Sequence, residues 1–160
     1  VYDRLLEMLA VGYSTEVMPR EGAFDFVRSA YEAGIPMAIA TSTPAESVQI
    51  GLKAHGMDGF FDTLVTTQDA GASKDHPDIY NLALSKLAEI HGLGEVSHGD
   101  VWVFEDMPFG LISSGSAGYR RVGIYDPEGR GTREAVRANC EIFVDSFTEL
   151  TLSRVVLYER

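Results

Sequence analysis

Short continuous apolar runs alternate along this chain with longer stretches in which apolar residues recur every three or four positions. Strands buried on both faces read as continuous apolar runs, and parallel neighbours need a long crossover between them. The alternation therefore predicts an α/β fold, a Rossmann-like parallel sheet flanked by helices. Strands are expected at residues 36–41, 63–66, 101–104, 121–125 and 142–144. A helix over residues 21–33 puts Phe24, Val27 and Tyr31 on one face and stops at Gly34. Thr43-Pro44-Ala45-Glu46 reads as a capping box opening a helix that runs to Gly56. Residues 69–77 read as a loop, after which Ile79, Leu82, Ala83, Leu87 and Ile90 mark an amphipathic helix. Residues 108–118 are rich in Gly, Ser and Ala, poor in propensity but able to approach a sheet closely. Leu5, Leu6, Met8 and Leu9 stand at helical spacing within residues 1–13, and Met18-Pro19-Arg20 then breaks the pattern. Two segments are expected, 1–18 and 19–160.

In open parallel sheets ligands bind beyond the C-terminal ends of the strands, so polar residues just past each apolar run are the candidates. Thr41-Ser42-Thr43 offers hydroxyls and free backbone N–H groups where a strand meets a helix N-terminus, a geometry that accepts phosphate. Taken singly, these threonines also read as a strand end and an N-cap. Lys74 lies in a loop that opens a helix; alone it reads as a solvated surface charge. Glu105-Asp106 is harder to dismiss, because adjacent carboxylates ending the buried run Val101-Trp102-Val103-Phe104 repel unless a cation or donors compensate. Hard oxygen donors of this kind suit Mg²⁺, which binds through one or two carboxylates plus waters and substrate oxygens.

Charge limits the partners. With 13 basic and 24 acidic side chains the formal charge is −11, which disfavours nucleic acid and anionic lipid surfaces. It does not exclude a phosphorylated substrate, for which one lysine, a metal and helix N-termini suffice locally. The one cysteine, Cys140, forms no internal disulfide and reads as a buried apolar residue, so a reducing, cytoplasmic setting is expected. No apolar run approaches the roughly 20 residues of a membrane span. The histidines show no metal-ligand spacing, and Gly129-Arg130-Gly131 reads as a turn.

Thr41-Ser42, then Lys74-Asp75-His76-Pro77-Asp78-Ile79-Tyr80, then Phe104-Glu105-Asp106 with Gly110 and Ala117-Gly118, resemble the second, third and fourth motifs of the haloacid dehalogenase superfamily. The resemblance spans about residues 19–150, in family order, and is nearest the branch of β-phosphoglucomutase and small-metabolite phosphatases. It implies that Thr41 and the Ser42 backbone hold a phosphoryl group, that Lys74 neutralises it and orients the nucleophile, and that Glu105 and Asp106 ligate Mg²⁺ directly or through water. It further implies a Mg²⁺-dependent phosphohydrolase, phosphatase or phosphomutase-like, acting on a small phosphorylated metabolite through an aspartyl-phosphate.

The superfamily's first motif, an Asp-x-Asp ending the first strand, is absent from these residues. Residues 1–18 then resemble a remnant of the family's helical cap and its linker, and 19–160 the phosphohydrolase core without its first central strand. An upstream segment of the same protein is expected to supply that strand and the nucleophile, leaving this chain inactive by itself. The rival reading is a non-catalytic relative that binds a phosphorylated ligand or a protein. A halide-releasing enzyme would give no reason for Glu105-Asp106, and phosphoacceptor receivers carry their acidic cluster ahead of the threonine and lysine.

Overall fold

The structure, a computed structural model, describes the backbone of Leu6–Leu9 and residues 19–159. In chain order the elements are β1 (Leu6–Leu9), α1 (Ala23–Glu32), β2 (Met37–Thr41), α2 (Ala45–Ala54), β3 (Thr63–Thr66), α3 (Thr67–Ala70) and α4 (Asp78–His91). They continue with β4 (Val101–Glu105), α5 (Pro108–Ser116), β5 (Arg120–Ile124), α6 (Arg133–Ala138), β6 (Ile142–Val144) and α7 (Leu152–Val156). The strands form one parallel sheet in the order β3-β2-β1-β4-β5-β6. The chain winds outward from β1 through β2 to β3, then returns past β1 to β4 and winds outward the other way. The switch point between β1 and β4 opens a crevice at their C-terminal ends, where such sheets bind ligands.

The apolar runs are continuous because the sheet is covered on both faces. On one face Met37, Ile39, Trp102 and Phe104 pack with Phe26 and Val27 of α1, Leu52 of α2 and Val155 of α7. On the other, Ala38, Ala40, Val101 and Val103 pack with Ile79, Ala83 and Leu87 of α4. Each large side chain fully buried this way contributes about 1.5–3 kcal/mol. Helix ends follow glycine where the backbone must turn left-handed: Gly92 closes α4 at φ 60°. Among the described residues no helix is long and apolar enough to cross a membrane.

Several local expectations are corrected. Leu6–Leu9, expected to be helical, is a strand that fills the central slot: Leu9 is level with Ile39 on one side and Phe104 on the other. The slot expected to await an upstream segment is thus paired by this chain's own residues. The physical reason is tertiary. A short apolar run fits either period, an isolated helix of this length is marginal in water, and both β2 and β4 present backbone groups that need partners. The rest of the expected helix, residues 1–5 and 10–13, and the start of the linker lie outside the described residues.

The expected capping box at Thr43 does not form. Pro44 is the N-cap of α2, without a side-chain cap, and the Thr43 N–H turns back to donate to Thr41 Oγ1 at 3.0 Å. The expected loop after β3 instead begins with α3, closed by a reciprocal capping box between Thr66 and Asp69. Hydrogen bonds from the Thr66 backbone and side chain hold the Asp69 carboxyl below its usual pKa. Cys140 is only half-buried; it packs where a Cβ on Gly123 would come within 2.7 Å of its Sγ, and burial raises its thiol pKa.

Candidate active site

Lys74, expected at the surface if taken alone, is buried, and its Nζ donates to Glu105 Oε2 at 2.9 Å. Two elements hold it there. The loop after α3 carries it to the start of α4, and α5 fastens that loop through Ser113, whose hydroxyl donates to the Lys74 carbonyl at 2.5 Å. Glu105 ends β4 with its side chain turned inward. Besides Lys74 it accepts from the Tyr80 hydroxyl at 3.3 Å and, on Oε1, from the Met107 N–H at 3.3 Å. Burial pushes the Glu105 carboxyl up to about 6; the Lys74 ammonium opposes that shift and the neighbouring Asp106 reinforces it. Burial, followed by the Glu105 charge, pushes the Tyr80 phenol well above its ordinary value, so it remains a donor.

The Gly/Ser composition of α5 has its reason here. A Cβ on Gly110 would lie 2.7 Å from Tyr80 Oη and 2.8 Å from Glu105 Cγ, so only glycine lets the helix close over this pair. Pro108 at the helix start needs no N–H partner, and Met107 before it spends its own N–H on Glu105.

Asp106 lies against the Glu105 carboxyl, with which its side chain interacts, but is the more open of the two. Its side chain is 34% exposed and lies 4.0 Å from Arg20 Nη2, the nitrogen that contacts Asp126 Oδ2 at 2.5 Å. Thr41 is buried at the end of β2, and Ser42 beyond it is exposed. The strand β1 separates β2 from β4, so at about 4.8 Å per strand spacing Thr41 and Glu105 sit roughly 10 Å apart along one sheet edge. The structure therefore joins Lys74 directly to Glu105, sets the more exposed Asp106 beside them, and places Thr41 and Ser42 across the switch point. In sequence, Leu9 is followed by Ala10-Val11-Gly12, which hold no carboxylate.

The donors suit a hard divalent cation unequally. Glu105 is enclosed and committed to protein donors, whereas the Asp106 carboxylate is open to solvent and ligand, as a Mg²⁺ ligand completed by water and substrate oxygens must be. Among the described residues no group of three His, Cys, Asp or Glu side chains is placed to hold a metal.

Sequence reasoning passed over Tyr80, Ser113, Arg20 and Asp126. Tyr80 is the third residue of α4, just after the Lys74 loop, and its place in the Lys74–Tyr80 motif is the signal that could have found it. The other three reach the site only through packing. Two of the four histidines are engaged elsewhere: His91 lies 3.3 Å from Asp62, and His98 stacks on Tyr119 at 4.2 Å.

A sequence model described as haloacid dehalogenase-like hydrolase matches residues 3–124. The chain is 30% identical over 154 residues to the protein CbbY of Cereibacter sphaeroides, covering 92% of this chain and 60% of CbbY. It is 34% identical over 86 residues to the pyrophosphatase PpaX of Halalkalibacterium halodurans, covering 51% of this chain and 40% of that one. Among solved structures, CbbY from Rhodobacter sphaeroides in complex with phosphate superposes with a TM-score of 0.69 at 30% identity, over 82% of this chain and 55% of CbbY. The chain thus spans less than two thirds of the length of these relatives. The matched sequence, the parallel sheet and the motif residues at its C-terminal edge lead to one conclusion: the chain belongs to the haloacid dehalogenase-like hydrolases.

Proposed function

We propose that the whole protein is a Mg²⁺-dependent phosphohydrolase, phosphatase or phosphomutase-like, acting on a small phosphorylated metabolite. The observation that carries this reading is the buried Lys74–Glu105 pair beside the half-open Asp106 at the switch point of the sheet. Relatives support the substrate class: one is named a pyrophosphatase, another a validoxylamine A 7'-phosphate phosphatase, and a CbbY mutant was solved with xylulose-(1,5)bisphosphate.

In this reading Glu105 acts on Lys74 rather than on the metal. An ammonium has three donors, and among the described contacts Glu105 takes one, which fixes the side chain while leaving positive charge for a phosphoryl oxygen. The Thr41 hydroxyl and the Ser42 N–H hold the oxygens on the opposite side. Asp106 holds Mg²⁺, which when bound polarises the phosphoryl group and offsets its charge. The nucleophile is an aspartate outside residues 1–160, whose carboxylate oxygen attacks phosphorus, displaces the substrate oxygen and is later discharged by water. Without it this chain binds but does not turn over.

The test is release of inorganic phosphate from pyrophosphate and a panel of sugar phosphates by the full-length protein, with Mg²⁺ and with chelator. Release that requires the metal supports the reading. Release indifferent to chelator, or tight phosphate binding with no turnover of any substrate, overturns it, the second outcome favouring a non-catalytic binding module.

A further inference from the structure

We propose that Asp126 is a positioning residue that holds the Arg20 guanidinium off Asp106, keeping the Asp106 carboxylate available to a divalent cation. This rests on the reading of Asp106 as the metal ligand. The geometry is a competition of two carboxylates for one nitrogen: Arg20 Nη2 is 2.5 Å from Asp126 Oδ2 and 4.0 Å from Asp106 Oδ2. The other arm of the fork, Nη1, donates to the Tyr125 carbonyl at 3.1 Å, so both contacts draw Arg20 toward the end of β5.

Asp126 is itself anchored. Its Oδ1 accepts from the Glu128 N–H at 3.0 Å, and the Gly129 N–H closes the same turn on the Asp126 carbonyl at 3.0 Å. The turn is seated against the start of α5, where a Cβ on Gly131 would come within 2.7 Å of Pro108 Cδ and 3.3 Å of the Asp106 carbonyl oxygen. The carboxylate that captures Arg20 is therefore built into the same packing that positions Asp106. Remove it, and the nearest anion left to the guanidinium is the oxygen a cation would use. A fixed positive charge there excludes a metal from that side by occupation and by repulsion.

The experiment measures Mn²⁺ binding, as an oxygen-preferring stand-in for Mg²⁺, by electron paramagnetic resonance on metal-free full-length protein. The set is wild type, Asp126→Asn, Arg20→Gln and the double variant, with circular dichroism to confirm folding. Asp126→Asn is expected to weaken Mn²⁺ binding about 10- to 100-fold. Once Arg20 is gone there is nothing to hold, so the double variant and Arg20→Gln alone should agree within about twofold. That second comparison stands even if Asp126→Asn fails to fold. Equal binding by Asp126→Asn and wild type overturns the proposal. So does a double variant far weaker than Arg20→Gln, because Asp126 would then be acting as a ligand. If wild type itself binds no Mn²⁺, the assignment of Asp106 fails and takes this inference with it.

Discussion

Lys74 and Glu105 depend on each other in a way neither side chain shows alone. Both are nearly excluded from solvent, and removing one partner of a buried pair leaves the other charge uncompensated, at a cost of about 3–5 kcal/mol. Lys74→Met should therefore lower unfolding free energy by that order, and Lys74→Met/Glu105→Gln should recover most of it; chemical denaturation of the four-member cycle checks this. In the whole protein Lys74→Ala should also slow phosphate release by roughly 100- to 1000-fold, as loss of a preorganised charge donor does. Retention of wild-type turnover would remove Lys74 from the site.

Glu105 adds a pH signature of unusual sign. Its carboxyl is raised from 4.5 to about 6 in the folded protein, so between those values the native state binds more protons than the unfolded chain. The associated stability is present in full below about pH 4.5 and is lost as pH rises through about 6, by roughly 2 kcal/mol in all. Unfolding midpoints recorded across that window should show the decline, and Glu105→Gln should remove that component of the slope whatever it does to absolute stability. An unchanged slope in the variant would mean that Glu105 titrates normally.

At the scale of elements, α5 is the part most constrained by the site. Its glycines and serines make it a weak helix by propensity, yet Gly110 admits Glu105 and Tyr80 beneath it and Ser113 ties down the Lys74 loop. Gly110→Ala gains helix propensity but forces overlap with both side chains. Overpacking of this kind costs about 1–3 kcal/mol, so thermal unfolding should fall rather than rise. Ser113→Ala, which loses one hydrogen bond without a clash, should cost about 1 kcal/mol. If Gly110→Ala proves stabilising, α5 does not close on Glu105 as described. The short α3 and the cap of α2 show the same dominance of context over local signal. Thr66 and Asp69 build a box that the sequence pattern would have allowed, whereas Thr43 turns its N–H back to Thr41 instead of capping the helix it precedes.

For the whole molecule, the reversal of winding between β1 and β4 collects residues from β2, from the loop before α4 and from β4 along one edge of the sheet. A net charge of −11 makes that edge dependent on local cations, which among the described residues include Lys74 and Arg20. The chain spans 60% of the length of CbbY. Rapidly quenched full-length protein given a phosphorylated substrate should carry phosphoryl on an aspartate outside residues 1–160, located by peptide mass spectrometry. A phosphoryl group found on Asp106 or on any residue of this chain would contradict the assignment of roles.

The sequence by itself determined the α/β class, five of the six strands among the described residues, and the order of the motif residues, with Thr41 and Glu105 at strand ends and Lys74 in a loop. Each of these follows from local periodicity, which reports whether a segment is covered on one face or two. Only the tertiary structure decided that Leu6–Leu9 pairs as a strand, that Glu105 turns inward to Lys74 while Asp106 beside it stays partly open, and that Arg20 and Asp126 belong beside them. Those outcomes turn on contacts between residues remote in the chain, Lys74 with Glu105 and Arg20 with Asp126. The partner of a charge is set by which strands become neighbours and how closely a helix can cover them. No spacing within a single element carries that information.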